Sequence, residues 1–291
     1  MPFTFLLLLS LSTLVPSPSV TGVKIVTRQV TGGFVDTRTE WVAADRLRNE
    51  WQTRSGERAG PAMASIVLRG DRDRVFVLDL QAKEYVSYET DSHGAALGAK
   101  SHPATPSGGT LQIIIDSVDT GERKNIFGYQ ARHIVTHEKR VPSAGACSRV
   151  SESETDGWYI DPSVMPAWRT AKKPGVGVVV ANVISAGSSD NCLNKIDKIE
   201  LHRTGVEPGF PVKLTTTLTS DISERDGSSH MLSSTWGSEV VELRAGPLDP
   251  ALFDVPPDFH RVDSLRNWSA IPRHQPSGWE WFKEKLAEMF N

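Results

Sequence analysis

The stretch ASIVLRGDRDRVFVLDLQAKEYVSYE, residues 64–89, decides the fold class. It contains three runs rich in β-branched and aromatic residues, which are Ala64–Leu68, Val75–Leu80 and Glu84–Tyr88. Two short polar segments separate these runs, and this spacing is typical of consecutive antiparallel strands joined by turns. The stretch therefore predicts a β-meander and not an alternation of strands and helices.

Strand-like runs continue on both sides of this meander. The strongest hairpin signal joins Leu111–Val118 to Asn125–Glu138, with the turn predicted at Asp119-Thr120-Gly121-Glu122. Four further strands are predicted at Val23–Val30, Lys198–Arg203, Pro211–Ser220 and Ser234–Leu243. The chain is therefore expected to be mainly β and largely antiparallel, in a single domain.

Three segments are expected to add or to permit helix. Between Thr39 and Trp51 the apolar residues fit a helical stripe and also one face of a strand, and Ala44-Asp45 is a candidate hairpin turn. Val176–Ile184 fits either a buried strand or a short helix. Asp161–Arg169 predicts a short helical turn, with Asp161 as its N-cap and a proline at the first helical position.

The last segment, residues 263–291, is predicted to be a proline-containing tail followed by an amphipathic helix. Its apolar residues recur at helical spacing, and its charged residues take the other side. Such a helix either docks on the body of the protein or contacts a partner or a membrane surface. The residues that define it are Trp279, Trp281, Phe282, Leu286 and Phe290, of which Trp281 points away from the apolar stripe.

The first 22 residues are predicted to be a secretory signal peptide. They carry no charged side chain, and they are largely apolar from Phe5 to Val15. This apolar stretch is shorter than the roughly 20 residues that span a bilayer. We expect cleavage after Ser19 or Gly22, a folded domain over residues 23–262, and a periplasmic or secreted location.

The two cysteines of the chain, Cys147 and Cys192, lie in small, polar, loop-like stretches. In an oxidising compartment such a pair is expected to form a disulfide, which would close a loop of roughly 45 residues. The alternative is that both thiols are unpaired.

Composition and motifs exclude several classes of function. The net charge of −3 leaves no basic excess for nucleic-acid binding, and two cysteines are too few for a four-thiolate zinc site. No nucleophile elbow is present, and His137-Glu138 is followed by Val141 where a zinc-protease helix needs a second histidine. We therefore predict no catalytic residue, no metal, no cofactor and no enzymatic activity.

Aromatic content is the one chemical feature that stands out, with 8 tryptophans in 291 residues. Those in or beside the predicted sheet either fill its core or line an apolar ligand cavity on a curved face. These candidate ligand-binding residues are Trp41, Trp51, Trp158, Trp168 and Trp236.

Several segments resemble a known family. They are LRGDRDRVFVLDLQAKEYVSYE (68–89), DTGERKNIFGYQARHIV (119–135), DGWYIDP (156–162), EPGFPVKL (207–214) and EVVELRAGPLDPALFDVPPDF (239–259). Over roughly residues 22–262 the chain resembles an uncharacterised family of exported bacterial proteins. The fold of that family is similar to the outer-membrane lipoprotein carriers LolA and LolB.

This resemblance implies an α+β fold in which a curved antiparallel sheet or incomplete barrel wraps over a few short helices. It also implies an enclosed apolar cavity, and it favours the hairpin for Thr39–Trp51. The expected function is an exported, monomeric protein that binds a lipid, an acyl chain or a lipoprotein without chemistry. The alternatives are an envelope interaction or sensor protein and a hydrolase with an unrecognised site.

Overall fold

The computed structural model describes residues 19–32, 34–55, 58–70, 73–90, 105–164, 192, 195–223 and 229–265. These residues form one open sheet of thirteen strands. The strands are β1 (Val20–Thr31), β2 (Phe34–Ala43), β3 (Arg46–Ser55), β4 (Arg58–Leu68), β5 (Asp73–Asp79), β6 (Glu84–Thr90), β7 (Thr105–Ile126), β8 (Tyr129–Pro142), β9 (Ser151–Ile160), β10 (Lys195–Gly205), β11 (Phe210–Ser223), β12 (Ser229–Leu248) and β13 (His260–Arg261).

The spatial order of the strands is β10-β7-β8-β9-β11-β12-β1-β2-β3-β4-β5-β6-β13. All neighbours are antiparallel except at the two edges, where β10 runs parallel to β7 and β13 runs parallel to β6. The prediction of a mainly β, largely antiparallel chain is confirmed. The predicted strands fall within observed ones, except that Leu80 lies one residue beyond β5 and that the residues around the β7–β8 turn differ as described below.

The predicted fold class is wrong about the short helices that the sheet was expected to wrap over. Among the described residues, the complete helical elements are two single turns of 3-10 helix, Pro162–Val164 and Pro250–Phe253, and these residues include no α-helix for the sheet to wrap over. The first turn is the beginning of the predicted turn at Asp161–Arg169, most of which lies outside the described residues. Val176–Ile184 and the predicted C-terminal helix also lie outside them.

The ambiguous segment Thr39–Trp51 forms a hairpin. Strands β2 and β3 pair from Thr37↔Gln52 to Ala43↔Arg46, and Ala44-Asp45 makes the turn. The carbonyl oxygen of Asp45 accepts a hydrogen bond from the Arg69 amide at 2.8 Å, which ties this turn to the end of β4. A helix here would satisfy its own backbone but leave the facing edges of β1 and β4 without partners, whereas the hairpin pairs with both strands.

The β7–β8 hairpin exists, but its predicted turn is wrong. Asp119-Thr120-Gly121-Glu122 forms a bulge inside β7, since the register shifts between Asp119 and Arg123. The turn lies at Phe127-Gly128, where φ is 53° and 81°, and positive φ at both positions is the type I′ geometry that matches strand twist. In the bulge, the Asp119 carboxylate accepts hydrogen bonds from the Gly121 amide and the Arg123 guanidinium, so this sequence satisfies itself without reversing the chain.

The strand register divides the side chains into two faces. The Val42 face carries Val42 and the residues in register with it, such as Val23 and Leu47, and the Trp41 face carries the alternate residues. On the Trp41 face, the second 3-10 turn covers strands β2–β5 and buries Phe253 against Ile66 and Leu78. Arg48 donates to the Leu252 carbonyl oxygen at 3.0 Å and fixes that turn on the sheet.

The Val42 face has two apolar clusters. The Met63 cluster lies on β4–β6 and also contains Leu265, which follows the last strand. The Val23 cluster lies toward the other half of the sheet, on strands β1, β8, β9, β11 and β12. It combines residues of the Val42 face with Ala131, Ile160 and Phe210, which the register places on the other face. The members of the Met63 cluster are Met63, Val67, Val75, Val77, Val86 and Leu265, and those of the Val23 cluster are Val23, Ile25, Ala131, Ile134, Tyr159, Ile160, Phe210, Val212, Leu214 and Val240.

Candidate functional site on the buried face of the sheet

Polar side chains interrupt the Val42 face where the two apolar clusters would otherwise meet. One cross-strand row runs Ile25–Glu40–Asn49–Ser65–Val77 over strands β1 to β5, so three polar residues stand between two aliphatic ones. The next row begins Thr27–Arg38–Trp51–Met63. The central polar patch is defined here as Thr27, Arg38, Glu40, Asn49, Trp51 and Ser65.

An ion pair between Arg38 and Glu40 forms the charged part of the central polar patch. The Arg38 Nε atom lies 3.5 Å from Glu40 Oε1, and the Glu40 side chain is 1% exposed. Removing a carboxylate from water costs several kcal/mol, and only a close counter-charge with further hydrogen bonds offsets that cost. A buried charge pair on a sheet face is therefore an expensive feature that hydrophobic packing alone does not require.

Other polar atoms of the patch are buried without a hydrogen-bond partner among the described residues. They are Thr27 Oγ1, Asn49 Oδ1 and Trp51 Nε1. The Asn49 amide does donate to Ser65 Oγ at 3.5 Å, which orients its oxygen but leaves that oxygen unused. Each buried and unsatisfied polar group costs about 1–3 kcal/mol. In a complex, the patch can therefore offer a ligand two hydrogen-bond acceptors, the Thr27 and Asn49 oxygens, and one donor, the Trp51 nitrogen.

A ladder of hydroxyl groups extends the polar character of this face toward β7. The register aligns Ser117, Thr136, Thr155 and Thr216 in one row on strands β7, β8, β9 and β11. Ser117 and Thr136 are 2.9 Å apart, and Thr155 and Thr216 are 3.0 Å apart. These hydroxyls satisfy one another in pairs, which accounts for polar residues on a half-buried surface. Trp236 continues the row on β12.

The register distributes the predicted tryptophans over both faces. Trp51 and Trp236 lie on the Val42 face, with Trp51 against the Met63 cluster. Trp41 lies on the opposite face and packs in the cluster around Phe253. The register also places Trp158 on the Trp41 face, where its ring is tilted against that of His133 with centroids 5.0 Å apart, and Trp158 packs against the Val23 cluster. The structure therefore brings only Trp51 to the central polar patch. Trp168 lies outside the described residues, as do Trp279, Trp281, Phe282, Leu286 and Phe290 of the predicted C-terminal helix.

Two buried acidic residues lie at the end of the row that contains Trp51. Asp79 and Glu84 are opposite each other on β5 and β6, and His260 Nε2 lies 3.5 Å from Glu84 Oε1. The Asp79 carboxylate accepts the backbone amides of Gln81 and Ala82 at 3.0 and 2.8 Å. These bonds stabilise the β5–β6 turn, so we assign Asp79 a structural role.

Cys147 and Cys192 form a disulfide with a Cα–Cα distance of 5.5 Å, as predicted from their sequence context. Asp197 supports this end of the sheet, since its carboxylate accepts bonds from the backbone amides of Cys147 and Ser148 at 2.8 and 2.7 Å and from Ser107 Oγ at 2.5 Å. Burial raises the pKa of Asp197, but these hydrogen bonds outweigh burial and hold the pKa below its usual value.

The Trp41 face carries a histidine relay near the β7 bulge. His133 Nδ1 lies 3.1 Å from Thr120 Oγ1, and His133 Nε2 lies 3.1 Å from Asp156 Oδ2. The order hydroxyl–imidazole–carboxylate is that of a hydrolase triad, in which the carboxylate is buried. Here the Asp156 side chain is 56% exposed, so water competes for the histidine and the arrangement fits an element that stabilises the bulge.

Sequence reasoning missed the central polar patch. The sequence does show polar residues at Thr27, Glu40 and Asn49, within strands of alternating polarity. Which face of the sheet these residues lie on depends on the register between strands, which the sequence alone does not give. No group of three or more His, Cys, Asp and Glu residues within the described part of the chain is arranged to hold a metal ion. Among the same residues, none belongs to a helix long and apolar enough to cross a membrane.

Comparison with known proteins does not assign this chain to a family. The chain matches no protein-family model and no curated protein. The candidate site therefore rests on the residues and distances given above.

Proposed function

We propose that this chain is an exported protein that binds a hydrophobic ligand on the Val42 face and performs no chemistry on it. The ligand class is an acyl chain that carries an amide group. The apolar part would lie on the Met63 and Val23 clusters, and the amide would lie at the central polar patch between them.

The unpartnered buried atoms of the patch carry this proposal. Thr27 Oγ1 and Asn49 Oδ1 can each accept a hydrogen bond, and Trp51 Nε1 can donate one. An amide provides a donor N–H and an acceptor C=O side by side, which matches this set. A pure hydrocarbon would leave all three groups unsatisfied, and a free carboxylate has no donor for Asn49 Oδ1.

The flanking clusters support the choice of an acyl chain. Ligand sites are usually apolar surfaces with a few convergent polar groups that fix orientation, and the Val42 face has this composition. The predicted signal peptide and the disulfide Cys147–Cys192 fit an oxidising compartment outside the cytoplasm.

The proposal is tested by lipid extraction and by titration. The purified full chain is extracted and analysed by mass spectrometry, and a fluorescently labelled fatty acid amide is titrated and then displaced by oleamide or by hexadecane. We expect saturable binding of the probe and displacement by oleamide at concentrations at least tenfold lower than by hexadecane. Absence of both extracted lipid and saturable binding would overturn the proposal.

Two substitutions locate the site. Thr27→Val and Asn49→Leu each remove one acceptor with little change of volume, and we expect oleamide affinity to fall about tenfold because a buried hydrogen bond contributes about 1–1.5 kcal/mol. Thr37→Val is the matched control, since Thr37 is exposed and its side chain belongs to the Trp41 face. Equal affinities for all three variants would place the amide elsewhere.

A further inference from the structure

A second set of buried charged groups lies at the far end of the Val42 face, beside the edge strand β10. The register places Arg203 of β10, Ile115 of β7 and Glu138 of β8 in one row. Seven strands separate β10 from β3, which carries Asn49, so this row is distinct from the central polar patch.

The guanidinium of Arg203 has an unused hydrogen-bonding edge. Its Nε and Nη2 atoms are inaccessible to solvent and have no hydrogen-bond partner among the residues that the structure describes. These two nitrogens lie on the same side of the planar guanidinium group. That edge donates two parallel hydrogen bonds to the oxygens of a carboxylate or a phosphate.

Glu138 presents the complementary group. Its side chain is 5% exposed, and Oε1 accepts a bond from Arg140 Nε at 2.7 Å. The second oxygen, Oε2, is buried and has no hydrogen-bond partner in the described part of the chain. An ionised carboxylate oxygen can only accept hydrogen bonds, so Glu138 Oε2 lacks a donor. The donor that would form the strongest hydrogen bond with it is a cationic one.

Arg203 and Glu138 do not satisfy each other. Within the described ranges, Arg203 Nε and Nη2 and Glu138 Oε2 are all without partners, so the two side chains form no ion pair through these atoms. Ile115 stands between them, and two strand spacings place their backbones about 10 Å apart. The unpartnered guanidinium edge of Arg203 and the unpartnered oxygen of Glu138 thus belong to the same face of the sheet, with the aliphatic side chain of Ile115 between them.

We propose that this row binds a zwitterionic group, with its oxyanion on the Arg203 edge and its ammonium on Glu138 Oε2. A phosphoethanolamine group has this chemistry, because a short two-carbon linker separates its phosphate from its ammonium. The ligand is either a free small molecule of this type or the head group of a lipid, and both share the same recognition. The inference does not depend on the acyl-amide site.

The test is calorimetric titration of the full chain with four compounds. They are phosphoethanolamine, lysophosphatidylethanolamine, glycerol phosphate as the oxyanion alone, and ethanolamine as the ammonium alone. We expect phosphoethanolamine to bind at least tenfold more tightly than either half. Tighter binding of the lipid than of phosphoethanolamine identifies a lipid head group, and equal binding identifies a free solute.

Variants separate the two contacts. Glu138→Gln keeps the shape of the side chain and removes its charge, so it should reduce phosphoethanolamine affinity tenfold or more and leave glycerol phosphate affinity unchanged. Arg203→Gln should reduce the affinity for both compounds. Glu152→Gln is the matched control, since Glu152 is an exposed strand residue of the opposite face that pairs with Lys139.

Three results would overturn the inference: equal binding of phosphoethanolamine and its two halves by the wild type, no binding of any of the four compounds, or identical effects of Glu138→Gln and Glu152→Gln. The wild-type comparison needs no variant, so it holds even if a substitution prevents folding. Oleamide binding measured in the same samples reports separately on the acyl-amide site, so failure of one site is distinguishable from failure of the other.

Discussion

Glu40 and Asn49 lie directly opposite each other on strands β2 and β3, and their side chains are 1% and 5% exposed. Residues directly opposite on one face have Cβ atoms about 4.5–5.5 Å apart, so a buried acid and a buried amide are immediate neighbours. Sheet faces of this kind usually carry aliphatic pairs, as Leu47↔Val67 does one row away. The polar pair has a cost in stability, and this cost is the basis for assigning it a binding role.

The Arg38–Glu40 ion pair should be essential for stability. Arg38→Met removes the guanidinium and leaves a buried carboxylate, so we expect the free energy of unfolding to fall by about 3 kcal/mol or more. Denaturant unfolding of the purified variant measures this loss.

The matched control for this substitution is Lys24→Met. The Lys24–Glu242 pair joins the neighbouring strands β1 and β12, and both of its side chains are about a third exposed. Exposed pairs contribute at most about 1 kcal/mol, so this variant should unfold nearly as the wild type does. Equal losses in the two variants would contradict the buried character of Glu40.

The disulfide Cys147–Cys192 should stabilise the fold through the loop that it closes. The sequence separation is 45 residues, and in the chain-entropy model a loop of this length contributes about 3–4 kcal/mol. The double variant Cys147→Ser/Cys192→Ser should lose about this amount in denaturant unfolding. Adding reductant should destabilise the wild type and leave the double variant unchanged, and an effect of reductant on the variant would contradict this assignment.

Asp197 should make stability at this end of the sheet depend on pH. Its hydrogen bonds hold the folded-state pKa below the ordinary value of about 3.9, so the carboxylate favours the folded state above that pH. As the pH falls through the lowered pKa, the carboxylate is protonated and this contribution is lost.

The comparison that tests this effect is unfolding of the wild type and of Asp197→Asn between pH 7 and pH 2. The wild type should be the more stable protein at pH 7, and the difference should shrink below about pH 4. A difference that stays constant across the whole range would show that ionisation of Asp197 does not contribute.

How well each part of this fold could be predicted depends on how far apart in the sequence its interacting residues lie. The β2–β3 hairpin could be predicted because a short-range alternation and a two-residue turn at Ala44-Asp45 determine it. The β7–β8 turn was misplaced because Asp119 and Gly121 have the composition of a turn, whereas Phe127 is an unusual residue for positive φ. Local composition cannot show that the Asp119–Arg123 bonds stabilise a bulge instead.

The candidate sites were less predictable because they depend on register between distant strands. The row of Arg203 and Glu138 exists only because β10 returns to pair in parallel with β7, about 90 residues earlier in the chain. Likewise, the pairing decides that Trp41 and Trp51 lie on different faces. Trp41 is opposite Arg48, and Arg48 is an odd number of residues from Trp51 on the same strand. A sequence shows which residues alternate, and the pairing decides which of them meet.

The start of β1 distinguishes the two candidate cleavage positions of the predicted signal peptide. Val20 pairs with Leu248, and Gly22 pairs with both Ala43 and Gly246, so residues 20–22 belong to the sheet. Cleavage after Gly22 would remove three paired residues from β1 and uncover Leu248, whereas cleavage after Ser19 leaves the strand intact. We therefore expect a mature protein that begins at Val20. Expression with export in a bacterial host, followed by intact-mass measurement and N-terminal sequencing, tests this expectation. A mature protein that begins at Val23 would contradict it, and a chain that keeps residues 1–19 after export would contradict the signal peptide itself.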